Sequence, residues 1–246
     1  MPSRHPPRPG KCVHCLKDHV QRTWDHVFPK AWYPDSTPPN LERWQIPACL
    51  KCNQRYGKLE DDLLVRLGMS INPTLPQAAG IAEKALRALN PRMAKNAKDA
   101  AHRYKRAMKF QRLLKPVADV PQASILRTFP RQPDWPEARF GIQIPRASLQ
   151  ALAEKISRGI FFIEDEKYIE PPYEITHYML REAPHDGVLD LLEQYGTVYA
   201  REPGIVVKRA IAADDRMSAV FSIEIWAQFR IFSVVDKSAA SPFDRS

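Results

Sequence analysis

The chain has 246 residues, a net charge of +9 and a hydrophobic share of 44%, which is enough for a packed core. A chain of this length forms one large domain or two modest ones. No apolar run approaches the length of a membrane span and no signal peptide is found, so we expect a cytoplasmic protein without a membrane partner. The positive charge favours a polyanion such as DNA as the partner.

The charge is unevenly distributed along the chain. Residues 1–120 contain 22 lysines and arginines against 10 acidic residues, whereas residues 121–246 contain 15 against 18. The first ten residues include four prolines, and we expect them to form an extended, mobile basic arm. Non-specific affinity for DNA is therefore expected in the first half of the chain.

All four cysteines lie in two Cys-x-x-Cys pairs, Cys12/Cys15 and Cys49/Cys52. Two such turns can place four sulfurs about 2.3 Å from one zinc ion, and a module of roughly sixty residues has too little core to hold together without such a staple. Disulfides would need an oxidising compartment, and redox-active pairs usually begin a helix in a βαβ unit. We therefore predict a structural Zn²⁺ site.

Further polar residues lie between and directly after the cysteine pairs. Asp25 precedes His26 in an apolar, aromatic setting, Asn40 lies fourteen residues after His26, and Asn53 directly follows the last cysteine. With the cysteines, these residues resemble the HNH endonucleases, the ββα-metal nucleases in their cysteine-framed form. The resemblance covers roughly residues 10–68 and implies hydrolysis of DNA phosphodiester bonds.

The resemblance implies that four residues are catalytic, which are Asp25, His26, Asn40 and Asn53. His26, with an ordinary pKa near 6.5, can take a proton from water as the general base. One divalent ion held by Asp25 and Asn53 would neutralise the phosphate and the departing 3′ oxygen, and Asn40 would fix the loop that carries His26. Oxygen ligands favour Mg²⁺ or Mn²⁺. Because Asp25 and His26 would face opposite sides of a regular strand, we expect the strand to end or bend there.

The predicted elements of this module are two strands followed by a helix. The strands are expected within residues 20–28 and 41–48, and an apolar stripe from Leu59 to Leu67 predicts a helix that ends at Gly68. Five aromatic side chains can either stack on bases or fill the core, and the core is the favoured role in a small module. They are Trp24, Phe28, Trp32, Tyr33 and Trp44.

The segment that follows is predicted to be helical and basic. Apolar spacing marks one helix from Ile81 to Leu89 and a second along Met93, Ala97, Ala101, Tyr104 and Met108. Residues 84–115 contain eleven lysines and arginines but one acidic residue, so we predict a helix that contacts phosphates without reading bases. The predicted nucleic-acid contacts of the whole chain are Lys30, Arg55, Lys58, Lys105, Arg106 and Lys109.

Prolines between residues 116 and 136 indicate a linker before the last part of the chain. A strand is predicted at 140–144, a helix at 149–159, a short strand at 160–163 and further strands at 205–211 and 219–235. The predicted fold class is α+β, with a basic arm (1–10), a zinc-stapled ββα-metal module of HNH type (11–70), a basic helical segment (71–120) and a C-terminal α+β domain with a mainly antiparallel sheet (121–246).

The predicted function is that of a metal-dependent HNH endonuclease acting on DNA. Two alternatives from other classes stay open: a non-enzymatic zinc ribbon that binds nucleic acid, and an adaptor whose C-terminal domain binds a protein partner or a second copy. Salt-sensitive binding without cleavage would favour the first. A stoichiometric protein partner without nucleic-acid affinity would favour the second.

Overall fold

A computed structural model describes residues 5–116, 125–128, 140–179, 186–201 and 204–238, which form five α-helices and three antiparallel sheets. The chain is therefore α+β, as predicted. The helices are α1 (Leu50–Gly68), α2 (Ile81–Leu89), α3 (Ala97–Leu113), α4 (Arg146–Asp165) and α5 (Asp186–Tyr195). The strands are β1 (Arg22–His26), β2 (Gln45–Cys49), β3 (Leu114–Pro116), β4 (Ile125–Thr128), β5 (Phe140–Ile144), β6 (Tyr173–Met179), β7 (Thr197–Arg201), β8 (Ile205–Ile211), β9 (Ala219–Ile225) and β10 (Phe229–Lys237).

The first sheet is a hairpin of β1 and β2, and α1 follows β2 without a break. Asp25 pairs with Ile46 and His26 pairs with Gln45. Because side chains alternate along a strand, buried Asp25 and Ile46 point towards α1 while His26 and Gln45 lie on the outer face. Two strands and a helix thus occur in the predicted order. The strand ends only after His26, so the expected break does not bring Asp25 and His26 to one face, which is a correction.

The arm is held against the outer face of this hairpin over its described residues. The indole Nε1 of Trp24 donates to the His5 carbonyl at 2.7 Å, and Arg22 Nε donates to the Arg8 carbonyl at 2.6 Å. Gly10 forms an isolated β-bridge with Val20. These contacts connect residues 5–10 to the hairpin, and the mobility of the arm stays a prediction. Residues 1–4 lie outside the described part.

Helices α2 and α3 pack beside α1, but α3 does not bury the face that its apolar spacing predicts. Met93 and Tyr104 are more than half exposed, whereas Phe110 is buried with Val65 of α1 and Ile142 of β5. The face of α3 that packs on α1 contains Phe110 together with Arg106 and Lys109, which form ion pairs with acidic residues of α1. Met93 lies before α3, in the short 3-10 helix Pro91–Met93, so both the start of the predicted helix and its packed face are corrections.

The largest sheet has the strand order β6-β10-β9-β8-β7 and is covered on both faces. Helix α4 packs on one face, where Ser157 Oγ lies 2.8 Å from Ser233 Oγ. Helix α5 packs on the other face, where Leu192 is buried with Phe232. The strands predicted at 205–211 and 219–235 are β8, β9 and β10. The third sheet has the strand order β3-β5-β4. Strand β4 lies inside the predicted linker, so the linker prediction is wrong for residues 125–128, and most of the remaining linker lies outside the described residues.

The short strand predicted at 160–163 is wrong, because α4 continues through these residues to Asp165. Their apolar side chains are also suited to the buried face of a helix. Gly159 does not end the helix. A Cβ at this position would lie 2.8 Å from both methyl carbons of Val27, so the missing side chain permits a close approach between α4 and the hairpin.

The main core extends from the cysteine module into the C-terminal sheet. The rings of Trp32 and Trp226 lie 5.3 Å apart, and the Trp226 indole donates to the Trp32 carbonyl at 2.8 Å. Phe28 and Phe221 are fully buried in the same cluster. This cluster contains residues from both sides of the domain boundaries predicted at residues 70 and 120, so these boundaries stay predictions. None of the described helices is long and apolar enough to cross a membrane.

Candidate metal centre and active site

The four cysteines converge to form one cluster. Their sulfur atoms all lie within 4.8 Å of one another, and Cys15 Sγ and Cys49 Sγ are 3.8 Å apart. A tetrahedral zinc ion with bonds of about 2.3 Å separates its sulfurs by about 3.8 Å. The cluster can therefore hold a metal ion, and its donors are those of a structural zinc site.

The local backbone explains how this cluster is built. Cys49 ends β2 and caps α1, so Cys52 lies in the first helical turn, and the amide of Cys52 donates to Cys49 Sγ at 3.4 Å. The amide of Cys49 donates to Cys12 Sγ at 3.2 Å. Burial and the neighbouring sulfurs raise the pKa of the Cys52 thiol. A divalent cation reverses this effect, because it stabilises the thiolates.

Asp25 is not open to an ion, because each of its carboxylate oxygens has a partner. His14 Nε2 donates to Oδ2 at 2.8 Å, and Lys155 Nζ donates to Oδ1 at 3.0 Å. Burial opposes ionisation of this carboxyl, but the hydrogen bond from His14 and the charge of Lys155 outweigh it and hold the pKa of Asp25 below its ordinary value. Asp25 is thus ionised, and the ammonium of Lys155 balances its negative charge.

Two residues of α1 complete a group that we call the Asp25 cluster: His14, Asp25, Tyr56, Glu60 and Lys155. The Lys155 ammonium also contacts Glu60 Oε1, and it lies 5.6 Å from the centre of the Tyr56 ring, which packs 4.5 Å from the ring of His14. Burial raises the pKa of Glu60 to about 7. Lys155 is fully buried, so its charge depends on these carboxylates.

His26 lies apart from this cluster on the outer face of the hairpin. The amide nitrogen of Gln45 donates to His26 Nε2 at 3.3 Å, so this ring nitrogen carries a lone pair. Burial lowers the pKa of His26, and the charge of Lys155 acts in the same direction. The imidazole is therefore neutral at pH 7, which is the state that a general base requires.

The two asparagines differ in their surroundings. The side-chain amide of Asn53 donates to Thr23 Oγ1 at 2.8 Å and to the Trp24 carbonyl at 3.1 Å, which ties the first turn of α1 to β1. Asn40 is exposed in the loop between the strands. Among the described residues, its side chain has no hydrogen bond to the segment that carries His26. The structure therefore brings Asn53, but not Asn40, against the strand of Asp25 and His26.

The predicted divalent ion does not fit Asp25 as the cluster stands, since both carboxylate oxygens are bonded. Sequence reasoning missed His14, Glu60 and Lys155. His14 lies inside the first cysteine turn, and Glu60 follows Asn53 by seven residues on the same face of α1, so helical spacing could have found it. No local signal connects Lys155 to Asp25, because 130 residues separate them.

The predicted phosphate contacts fall into two groups. Lys30, Lys58 and Lys105 are exposed, as is Arg55, whose guanidinium lies over the ring of Tyr56. Arg106 instead forms an ion pair with Asp61 at 2.9 Å, and Lys109 forms one with Asp62 at 2.8 Å. These last two side chains connect α3 to α1.

Comparisons with known proteins give no independent guide to this site. No protein-family model, curated protein or solved structure matches the chain. The chemistry of the site therefore depends on the residues themselves: a four-cysteine cluster, a neutral histidine at the end of β1, and a buried carboxylate paired with a lysine.

Proposed function

We propose that this protein is an HNH-type endonuclease that hydrolyses DNA phosphodiester bonds. The observation that carries this proposal is the bond from Asn53 to the Trp24 carbonyl at 3.1 Å, directly before Asp25 and His26. It joins the helix that begins in the cysteine cluster to the end of β1. The residues on which the resemblance rests, with the exception of Asn40, thus belong to one connected unit.

His26 supplies the base chemistry in this proposal. Its Nε2 takes a proton from water, the resulting hydroxide attacks phosphorus, the bond from phosphorus to the 3′ oxygen breaks, and the departing 3′ oxygen takes a proton from solvent. Gln45 has to release Nε2 first, because its amide occupies the lone pair. A divalent ion would supply neutralisation of the phosphate charge. Since Asp25 does not offer it a free oxygen, we assign no step to such an ion.

A basic face of α3 supports DNA as the substrate. Lys98, Lys105 and Arg112 are exposed and follow helical spacing along one side of the helix. Within the described part of the chain, none of the three forms an ion pair. We call these three residues the α3 stripe. Such a stripe suits phosphate binding through counterion release.

The test uses the full-length zinc-loaded protein and a supercoiled plasmid with Mg²⁺ or Mn²⁺. The wild type should nick or cut the plasmid, and His26→Ala should lower the rate by about 10²–10⁴-fold while keeping zinc. His19→Asn is the matched control, because His19 is exposed near the cysteines and has a positive φ that asparagine tolerates. Full activity in His26→Ala would remove the proposed base.

A second candidate is binding of nucleic acid without cleavage. The observation that favours it is the ion pair of Asp25 with Lys155, which occupies a carboxylate that the nuclease would need. Salt-sensitive DNA binding by a wild type that cleaves neither DNA nor RNA would support this candidate. Cleavage that depends on His26 would exclude it.

A further inference from the structure

The Asp25 cluster already holds a cation, and that cation is Lys155. Its ammonium lies 3.0 Å from Asp25 Oδ1 and also contacts Glu60 Oε1, and the side chain is fully buried. The two carboxylates come from β1 and α1, whereas the lysine comes from α4. Oxygens from separate elements that converge on one positive charge are also what a hard divalent cation requires.

Lys155 reaches the cluster because α4 is clamped on two sides. Gly159, one helical turn further on, lies so close to Val27 that a Cβ would be 2.8 Å from both of its methyl carbons. On the other side of α4, Ser157 Oγ lies 2.8 Å from Ser233 Oγ in the large sheet. The position of the ammonium therefore depends on how the C-terminal sheet and α4 pack on the hairpin.

We propose that Lys155 competes with a divalent cation for the carboxylates of Asp25 and Glu60, so that the C-terminal half of the chain controls ion binding at the nuclease site. This regulation rests on the proposed function, but ion binding is measurable without cleavage. In the wild type the ammonium has to leave before an ion can reach Asp25. Without it, the carboxylates of Asp25 and Glu60 offer the oxygen ligands that Mn²⁺ binds.

The first experiment measures Mn²⁺ binding to the zinc-loaded full-length protein without DNA, by electron paramagnetic resonance of free Mn²⁺. Lys155→Met keeps the length of the side chain but removes its charge, and it should bind one Mn²⁺ at least tenfold more tightly than the wild type. Adding Asp25→Asn to this variant should abolish the gain. Lys208→Met, a lysine exchange on β8, should behave as the wild type. Equal affinity of wild type and Lys155→Met would overturn the proposal.

A second variant covers the case in which Lys155→Met does not fold, since it leaves two carboxylates without their cation. Lys155→Gln removes the charge but keeps an amide that can donate a hydrogen bond to one of the carboxylates, and both proposed ligands stay in place. Mn²⁺ should raise the Tm of this variant but not that of the wild type, because a ligand stabilises the state that binds it. A folded Lys155→Gln variant with the same Mn²⁺ response as the wild type would refute the competition.

Cleavage assays on the same proteins separate this inference from the proposed function. Tighter Mn²⁺ binding by Lys155→Met, with cleavage at lower Mn²⁺ than the wild type needs, supports both. Tighter binding without cleavage by either protein supports the competition and overturns the nuclease. Cleavage by the wild type, with no gain in Mn²⁺ affinity in either Lys155 variant, overturns the competition and leaves the nuclease standing.

Discussion

A single side chain, Asn53, connects the first turn of α1 to β1. Its amide donates both hydrogen bonds, to Thr23 Oγ1 and to the Trp24 carbonyl. A hydrogen bond of this kind contributes about 0.5–1.5 kcal/mol to stability. The resemblance implies that Asn53 binds a metal ion, and its hydrogen bonds show that it also connects α1 to β1. The two roles need separate measurements.

We expect Asn53→Ala to lower the free energy of unfolding by about 1–3 kcal/mol, because it removes two hydrogen bonds in a partly buried place. Urea denaturation of the zinc-loaded protein measures this change. Asn40→Ala is the control and should stay within about 0.5 kcal/mol of the wild type, since its side chain is exposed. Equal losses of stability in the two variants would contradict the linking role of Asn53.

At the scale of elements, the contact between α4 and the hairpin depends on a glycine. Gly159→Ala should destabilise the protein by about 1–3 kcal/mol, because the added methyl overlaps Val27. Gly57→Ala in α1 is the matched control: a Cβ there meets no atom within 4 Å, so helix propensity should stabilise the protein by about 0.5–1 kcal/mol. Calorimetry of both variants gives the comparison.

A double-mutant cycle checks the cause of the Gly159→Ala effect. Val27→Ala in the same chain removes the methyl groups that collide with the new side chain. The double variant should therefore lose less stability than the sum of the two single losses. Strict additivity would mean that the close approach of α4 to Val27 is not the source of the loss.

The α3 stripe yields a prediction about DNA affinity. Changing Lys98, Lys105 and Arg112 to glutamine should weaken binding and flatten the slope of log K against log salt by about 0.9 for each phosphate that the protein no longer neutralises. Fluorescence anisotropy over a salt series measures the slope. Arg106→Gln/Lys109→Gln should change it less, because both side chains are in ion pairs with acids of α1. A larger effect of this pair would contradict that assignment.

At the scale of the whole molecule, the continuous core predicts cooperative unfolding. Trp32, which lies between the two cysteine pairs, packs on Trp226 in the turn between β9 and β10, and Val27 packs on α4. Removal of zinc should therefore destabilise the whole protein and not the module alone. A calorimetric scan should show one transition, and a chelator should shift all of it to lower temperature.

Restoring zinc should return the transition to its original temperature, whereas Mg²⁺ should not, because thiolates bind Mg²⁺ poorly. Two separate transitions, of which only one responds to the chelator, would contradict the continuous core. That result would instead support the predicted divisions of the chain near residues 70 and 120.

Local patterns predicted most of the elements. The stripe from Leu59 to Leu67 lies in α1, and the alternating residues after 205 lie in β8, β9 and β10. The run at 160–163 favours a strand by its composition alone, because buried helices and buried strands share apolar residues. The packed face of α3 also differs from its apolar spacing, since Phe110 and ion pairs with Asp61 and Asp62 decide the contact.

The sequence by itself determined what depends on neighbouring residues: the paired cysteine turns, the Asp25-His26 step, Asn53 after the last cysteine and the basic spacing of α3. Only the tertiary structure decided which of these groups are available. Asp25 is neutralised by a lysine 130 residues away, and two of the predicted phosphate contacts are in ion pairs with α1. The physical reason is that burial and charge pairing depend on how α3 and α4 pack, and no local periodicity specifies those distances.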